Sequence, residues 1–297
     1  MAIFRNVIKR VTSVSFFLLS SGCLFAQEPG NSWLKINEFG YKLGSVKIGT
    51  KDNDTLEVAA EKKVVKDSQG AIIRGDNTKK EIALVFTGDE FADGAEVIGK
   101  TLRDQKTLAS FFFTGNFYRN PDFKKAIVKL AADGHYLGAH SDKHLLYADW
   151  AKRDSLLVTE NQFKKDLRDN YKLMATLGIK KDNAKYFLPP YEWYNKQIVN
   201  WTNQEGLTLI NFTPGTRTPA DYTYPGMGAR YLSAEAIYNS VLIYEKKDPN
   251  GLNGFILLVH IGTDPRRTDK FYSRLGELLS ELSRKGYRFT RIDKLLE

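Results

Sequence analysis

One cysteine in 297 residues leaves no internal disulfide to staple the fold, and a chain this long can bury enough surface to do without one. Long apolar runs are missing too. The longest, around Val14–Leu19, is too short to span a bilayer, so a membrane-spanning channel is excluded. Neither Gly-x-Gly-x-x-Gly after a strand nor Gly-x-x-x-x-Gly-Lys-Ser/Thr occurs, which argues against dinucleotide- and phosphate-loop enzymes. Histidine is scarce, with four in the chain, so each one's position carries information. What is present is ordinary for a folded protein: 42% hydrophobic and 27% charged residues. The net charge of +9 invites a nucleic-acid reading. Three of the basic residues, Arg5, Lys9 and Arg10, lie in the first 26 positions, and the rest occur in pairs interleaved with acids. No helix carries a basic stripe, so nucleic acid is not an expected partner.

Those first 26 residues have the three-part layout of an export signal: a basic start, the apolar Val14–Leu19, then small Ser20, Ser21 and Gly22. Two exits are open. Cleavage after Ala26 gives a periplasmic or secreted protein without cysteine, and lipid attachment at Cys23 gives an anchored lipoprotein. Either way no cysteine serves as nucleophile or metal ligand, and no membrane span is expected.

Residues 27–80 read as a short, partly strand-forming lead-in, and 81–297 as one catalytic domain. In the latter, short apolar runs alternate with helical periodicity, which predicts a largely parallel α/β sheet. Strands are expected at 82–86, 108–113, 136–140, 186–188, 208–212, 255–260 and 288–292. Helices are expected at 121–133, 161–177, 233–246 and 268–284. In such folds chemistry collects at the C-terminal ends of strands. Three histidines stand there: His140, His144 and His260. His135 lies in the Gly134 turn before a strand and reads as a surface residue.

His140-Ser141-Asp142-Lys143-His144 sets two imidazoles four residues apart, a spacing that lets both reach one metal ion. Asp89, just past the first strand, can add a carboxylate oxygen, and two His with one carboxylate leave the open position of a catalytic site. His260 ends the apolar run Phe255–Val259 and supplies a group that titrates near neutrality, suited to proton transfer. Tyr191-Glu192-Trp193-Tyr194 places aromatic faces in a loop, where sugar rings stack. The long Pro-rich loop 211–225 reads as a binding loop, with Arg217 either contacting an anionic sugar or held in a structural salt bridge.

Taken together and in order, these residues resemble the polysaccharide deacetylases with the NodB homology domain, carbohydrate esterase family 4. The matches are the acidic loop Phe86–Gly94, His140-Ser141-x-x-His144, Pro189-Pro190-Tyr191, Asp221-Tyr222 and Leu257-x-x-His260. The resemblance covers about residues 80–297. It implies a distorted (β/α)7 barrel and a divalent metal on Asp89, His140 and His144, zinc by default, with cobalt or nickel suited to the same ligands. It further implies hydrolysis of an acetyl group on a polysaccharide or oligosaccharide. His260 would act as general acid, Asp221 as an orienting partner, and Pro190, Tyr191, Trp193 and Arg217 on the substrate side.

Two departures from the family pattern coincide. The motif that carries the family's base and metal-ligand aspartates has Thr87 and Gly88 at those places, and the arginine that pairs with the base is Leu188. Asp89 replaces the ligand if the loop shifts by one residue. For the base, Glu90 stands first and Glu192 second, or metal-bound hydroxide suffices. A sugar-binding protein that has lost its chemistry on the same scaffold is the alternative.

Overall fold

The computed structural model describes residues 63–297, together with the backbone of four short strands earlier in the chain. Most of the export-signal segment, including Cys23, lies outside the described residues. The chain divides into two units, residues 1–61 and 62–297. In the first, β1 (Phe16–Leu18), β2 (Leu24–Glu28), β3 (Ser32–Ile36) and β4 (Lys42–Lys47) form an antiparallel meander in chain order.

The second unit begins earlier than the expected boundary at residue 81. β5 (Val65–Lys66) and β6 (Ile72–Arg74) form a hairpin that joins the main sheet, so these residues belong with the barrel. Then follow β7 (Glu81–Gly88), β8 (Ser110–Phe113), β9 (Tyr136–Ala139), β10 (Tyr186–Phe187), β11 (Thr208–Leu209), β12 (Phe255–His260) and β13 (Arg288–Thr290). The order across the sheet is β11-β10-β9-β8-β7-β12-β6-β5, with β13 on the early part of β7. Strands β7 to β12 run parallel to their neighbours in that series, as crossover connections between consecutive strands require. The sheet curls far enough for Ile210, one residue beyond β11, to bridge Ile72 of β6. This is the distorted α/β barrel expected from the sequence.

The helices are α1 (Ala95–Asp104), α2 (Gly115–Arg119), α3 (Lys124–Ala132), α4 (Glu160–Thr176), α5 (Lys196–Gln204), α6 (Ala234–Lys247), α7 (Leu275–Arg284) and α8 (Ile292–Leu295). The sequence reading lacks the short α2 and α8, the latter starting at the end of the strand expected at 288–292, and also α1 and α5, whose buried stripes are short: Ile98, Gly99 and Leu102 in one, Ile198, Val199, Trp201 and Thr202 in the other. Central strands explain the core. Ile82–Phe86 and Phe255–Val259 are buried throughout because helices cover one face and the barrel interior fills the other. Register then places the chemistry, since Phe255 pairs with Ile82 and His260 therefore with Thr87.

His135 is buried, contrary to the surface position expected of it. Its Nδ1 accepts from the Ala109 N–H at 3.1 Å, its ring meets Phe111 edge-on, and burial holds it below the usual imidazole range. It is a packed core residue remote from the strand ends that carry the other three histidines.

Candidate active site

The site gathers at the C-terminal ends of β7, β9, β10 and β12. Gly88 closes β7, and a Cβ there would sit 2.8 Å from Ile261 Cγ2 and 2.9 Å from Phe117 Cε2. No side chain fits, so the first available carboxylate is Asp89, one residue on. It is fixed by Thr114, whose hydroxyl donates to Oδ1 at 2.7 Å, and by Asn116 Nδ2 at 3.2 Å. Thr114 does double duty, its Oγ1 also capping α2 by accepting from the Phe117 N–H.

His140 leaves the end of β9 fully buried. Its Nδ1 lies 2.8 Å from the Leu188 carbonyl, which makes Nδ1 the protonated nitrogen and frees the Nε2 lone pair. Its backbone N–H donates to Asn170 Oδ1 at 3.1 Å, while the Lys143 N–H donates to Asp166 Oδ1 at 2.9 Å. Both acceptors come from the inner face of α4, between Phe163, Leu167 and Met174. Two polar residues at i, i+4 on an otherwise apolar stripe are the signal that could have found them, because buried polar groups need partners. His144 completes the turn in the left-handed conformation (φ 53°), with its N–H bonded to Ser141 Oγ at 2.8 Å.

The His140 and His144 rings are 5.1 Å apart, and Asp89 Oδ2 is 3.9 Å from His144 Nδ1. Among the described residues no three His, Cys, Asp or Glu side chains converge tightly enough to form a finished metal cage. The chemistry of the donors nevertheless suits a cation. Burial pushes the His140 ring well below its ordinary range, reinforced by His144 and by His260. Burial likewise lowers His144, against the pull of Asp89. Both imidazoles are thus neutral lone-pair donors beside a carboxylate.

Across the barrel mouth stands His260, with Asp221 beneath it. Asp221 is 1% exposed and takes hold of His260 twice: Oδ1 accepts from Nδ1 at 2.5 Å, and Oδ2 from the backbone N–H at 2.9 Å. Burial alone would lower this imidazole, but the Asp221 charge and hydrogen bond, with a further push from Glu192, raise it above its ordinary value. Nε2 is left facing the cleft as the proton-carrying atom.

The two candidate bases sit differently. Glu90 is exposed on the rim, without a hydrogen bond to any described residue. Glu192 is half-buried, and burial, with Asp221 adding and His260 opposing, raises its carboxyl to about 7. Thr87 is buried, and its Oγ1 has no partner among the described residues.

On the substrate side, Pro190 is buried, while Tyr191 is 45% exposed with its ring 4.4 Å from His144. Trp193 donates from Nε1 to the Asp149 carbonyl and is covered by the Arg153 guanidinium 4.1 Å above it. Sequence reasoning missed Trp150, 56% exposed, which meets both Tyr191 and Trp193; Tyr222, read only as part of the Asp221-Tyr222 match, has its ring 5.5 Å from His260. Arg217 is exposed in the wall of a cavity of about 550 Å³, and no described carboxylate is within ion-pair range.

A family model described as polysaccharide deacetylase matches residues 74–210. The chain is 27% identical over 221 residues to a peptidoglycan-N-acetylglucosamine deacetylase of Bacillus cereus, covering 74% of this chain and 90% of that protein. It is 32% identical over 236 residues to an uncharacterised 30.6 kDa protein of Geobacillus stearothermophilus, covering 76% of this chain and 75% of the relative. Its fold is similar to that of a carbohydrate esterase family 4 pseudoenzyme from Bacillus anthracis, with TM-score 0.58, 16% identity and coverage of 77% and 70% of the two chains.

Proposed function

The chain belongs to the polysaccharide deacetylase family with the NodB homology domain, and from that footing we propose that it hydrolyses acetyl groups, N- or O-linked, from an extracytoplasmic carbohydrate. The observation that carries the reading is the opposition of two kinds of histidine across one cleft. His140 and His144 are neutral donors beside Asp89, while His260 is a proton carrier locked to Asp221. A pure sugar binder has no use for that division.

Enzymes of this family generally depend on a metal, and Asp89, His140 and His144 would hold it here. Bound there, a divalent ion such as zinc, cobalt or nickel lowers the pKa of water and polarises an acetyl carbonyl. The chain's own residues do the rest. The Leu188 carbonyl keeps His140 in one tautomer, and Asn170 and Asp166 keep the His140–His144 turn in place. The Tyr191 backbone N–H stabilises the oxyanion that forms on the acetyl group. His260 Nε2 gives its proton to the departing sugar nitrogen or oxygen, and Asp221 holds the ring for that transfer. Proton removal from the attacking water falls to Glu90 or Glu192. Trp150, Tyr191, Trp193 and Tyr222 offer faces to the sugar, with Pro190 shaping the turn beneath them and Arg217 reaching an anionic substituent.

Action outside the cytoplasm fits the export signal read in residues 1–26, with release after Ala26 or anchoring at Cys23. No helix among the described residues is long and apolar enough to cross a membrane. The second reading, a sugar-binding protein without catalysis, is favoured by Thr87, Gly88 and Leu188 at the family's catalytic positions.

Acetate release separates the two. Purified protein is incubated with acetylated chito-oligosaccharides, peptidoglycan fragments and acetylated xylan, with and without chelator. Release that chelator abolishes and Zn²⁺ or Co²⁺ restores is the expected result. Sugar binding without acetate from any substrate would leave the binder.

A further inference from the structure

Two consecutive residues with ordinary side chains, Tyr191 and Glu192, take the left-handed conformation, with φ of 59° and 53°. L residues enter that region sparingly, and such backbone collects where a side chain must be aimed. Asn211 holds the turn, its Nδ2 donating to the Glu192 carbonyl at 2.9 Å, and the Glu192 N–H donates to the Pro189 carbonyl at 3.1 Å. So constrained, Glu192 lines the cavity of about 550 Å³ together with Tyr191, Asn211 and Tyr222. Of that lining, Tyr191 lies against His144 and Tyr222 against His260. Glu192 thus shares one cavity wall with a tyrosine that touches each kind of histidine. No cation or hydrogen-bond donor of the described residues engages its carboxylate, although it is half-buried. Asp221 is already committed to His260, and Asp89 to Thr114 and Asn116.

We infer that Glu192 is the general base of the hydrolysis, a role that rests on the deacetylase reading above. Its carboxylate takes one proton from the attacking water as the water oxygen bonds to the acetyl carbon, giving a tetrahedral intermediate on the substrate. The bond from that carbon to the sugar nitrogen or oxygen then breaks, and protonated His260 supplies the leaving atom's proton from Nε2. Acetic acid and the deacetylated sugar depart, with Glu192 protonated and His260 neutral. Transfer of the Glu192 proton to His260 restores both. Glu90, exposed on the rim, has no comparable constraint.

The test compares the full chain, Glu192→Gln and Glu192→Asp, supplied with Zn²⁺, on acetylated chito-oligosaccharide, and follows His260 by NMR titration. Glu192→Gln is expected to lower kcat by about 10²–10⁴-fold with KM little changed, as loss of a general base does. Glu192→Asp, which keeps a carboxylate, is expected to fall in between and carries the test should the glutamine variant fold poorly. The His260 titration moves to lower pH in Glu192→Gln because a neighbouring negative charge is gone, and an unchanged titration would put Glu192 out of reach of the cleft and overturn the base assignment. Full activity in Glu192→Gln, or a larger loss in Glu90→Gln, overturns the base assignment alone. A wild-type protein that releases no acetate overturns the deacetylase reading and the base with it.

Discussion

His140 and His144 on one side of the cleft, and His260 on the other, are the same residue type under opposite instructions. His140 is buried and His144 half-buried against it, with a backbone carbonyl behind His140 and one carboxylate at the edge, and both rings are held neutral. His260 is half-buried too, but Asp221 engages it through two hydrogen bonds and Glu192 adds a second negative field, so it holds its proton. All three are at least half-buried, and the deciding difference is the charge within hydrogen-bond reach. One environment makes ligands for a cation and the other makes an acid, the separation that acid–base and metal chemistry in a single cleft requires.

That contrast is broken most directly at His260. His260→Ala is expected to reduce kcat for acetate release by about 10²–10⁴-fold, while zinc binding measured by calorimetry stays intact. Loss of zinc binding in this variant would put His260 with the ligands instead. His140→Ala should do the converse, abolishing stoichiometric zinc; a variant that still binds zinc with wild-type affinity would remove His140 from the ligand set.

Asp221→Asn sharpens the contrast through pH. A histidine raised above its unfolded value of about 6.5 contributes stability that is fully present below that pH and is lost as pH rises through the raised value. Asp221→Asn should therefore lower Tm more at pH 6 than at pH 9. An equal loss at both, by differential scanning calorimetry, would mean the pair stabilises as a neutral hydrogen bond only.

Smaller effects are expected further out. Asn170→Ala removes one of the two acceptors of the His140 N–H, which keeps the Phe113 carbonyl at 3.1 Å, together with the Asn170 Nδ2 bond to that carbonyl, and is expected to cost about 1 kcal/mol of stability. In urea unfolding this loss should come without any change in the His260 titration. Trp150→Ala removes one aromatic face near Tyr191 and should raise KM by roughly 2–10-fold at unchanged kcat, in line with the worth of an aromatic contact. A fall in kcat instead would tie Trp150 to the chemistry rather than to sugar binding.

Much of this was legible before any coordinates. The strands at 82–86 and 255–260 were visible because five or six apolar residues between polar turns have few other uses in a soluble fold. The two-histidine turn was visible from spacing. α1 and α5 were not, since their apolar stripes are broken by glycine, threonine and asparagine. Trp150 was hidden because it lies in an irregular loop, and only the fold brings it against Tyr191 and Trp193. Asp166 and Asn170 left a faint trace as polar residues on a buried helix face.

The order of βα units, the scarcity of histidine and the placing of three of the four at strand ends were determined by the sequence alone, because hydrophobic periodicity and residue chemistry are local properties. Tertiary structure decided which groups act together. Ile261 and Phe117 leave no room for a side chain at Gly88 and so make Asp89 the available carboxylate. Asp221 and His260, 39 residues apart in the chain, meet only in the folded barrel, and a backbone turn that no composition reveals brings Glu192 within electrostatic reach of both. Protonation depends on charge and burial at distances of a few ångströms, and those distances exist only once the chain has folded.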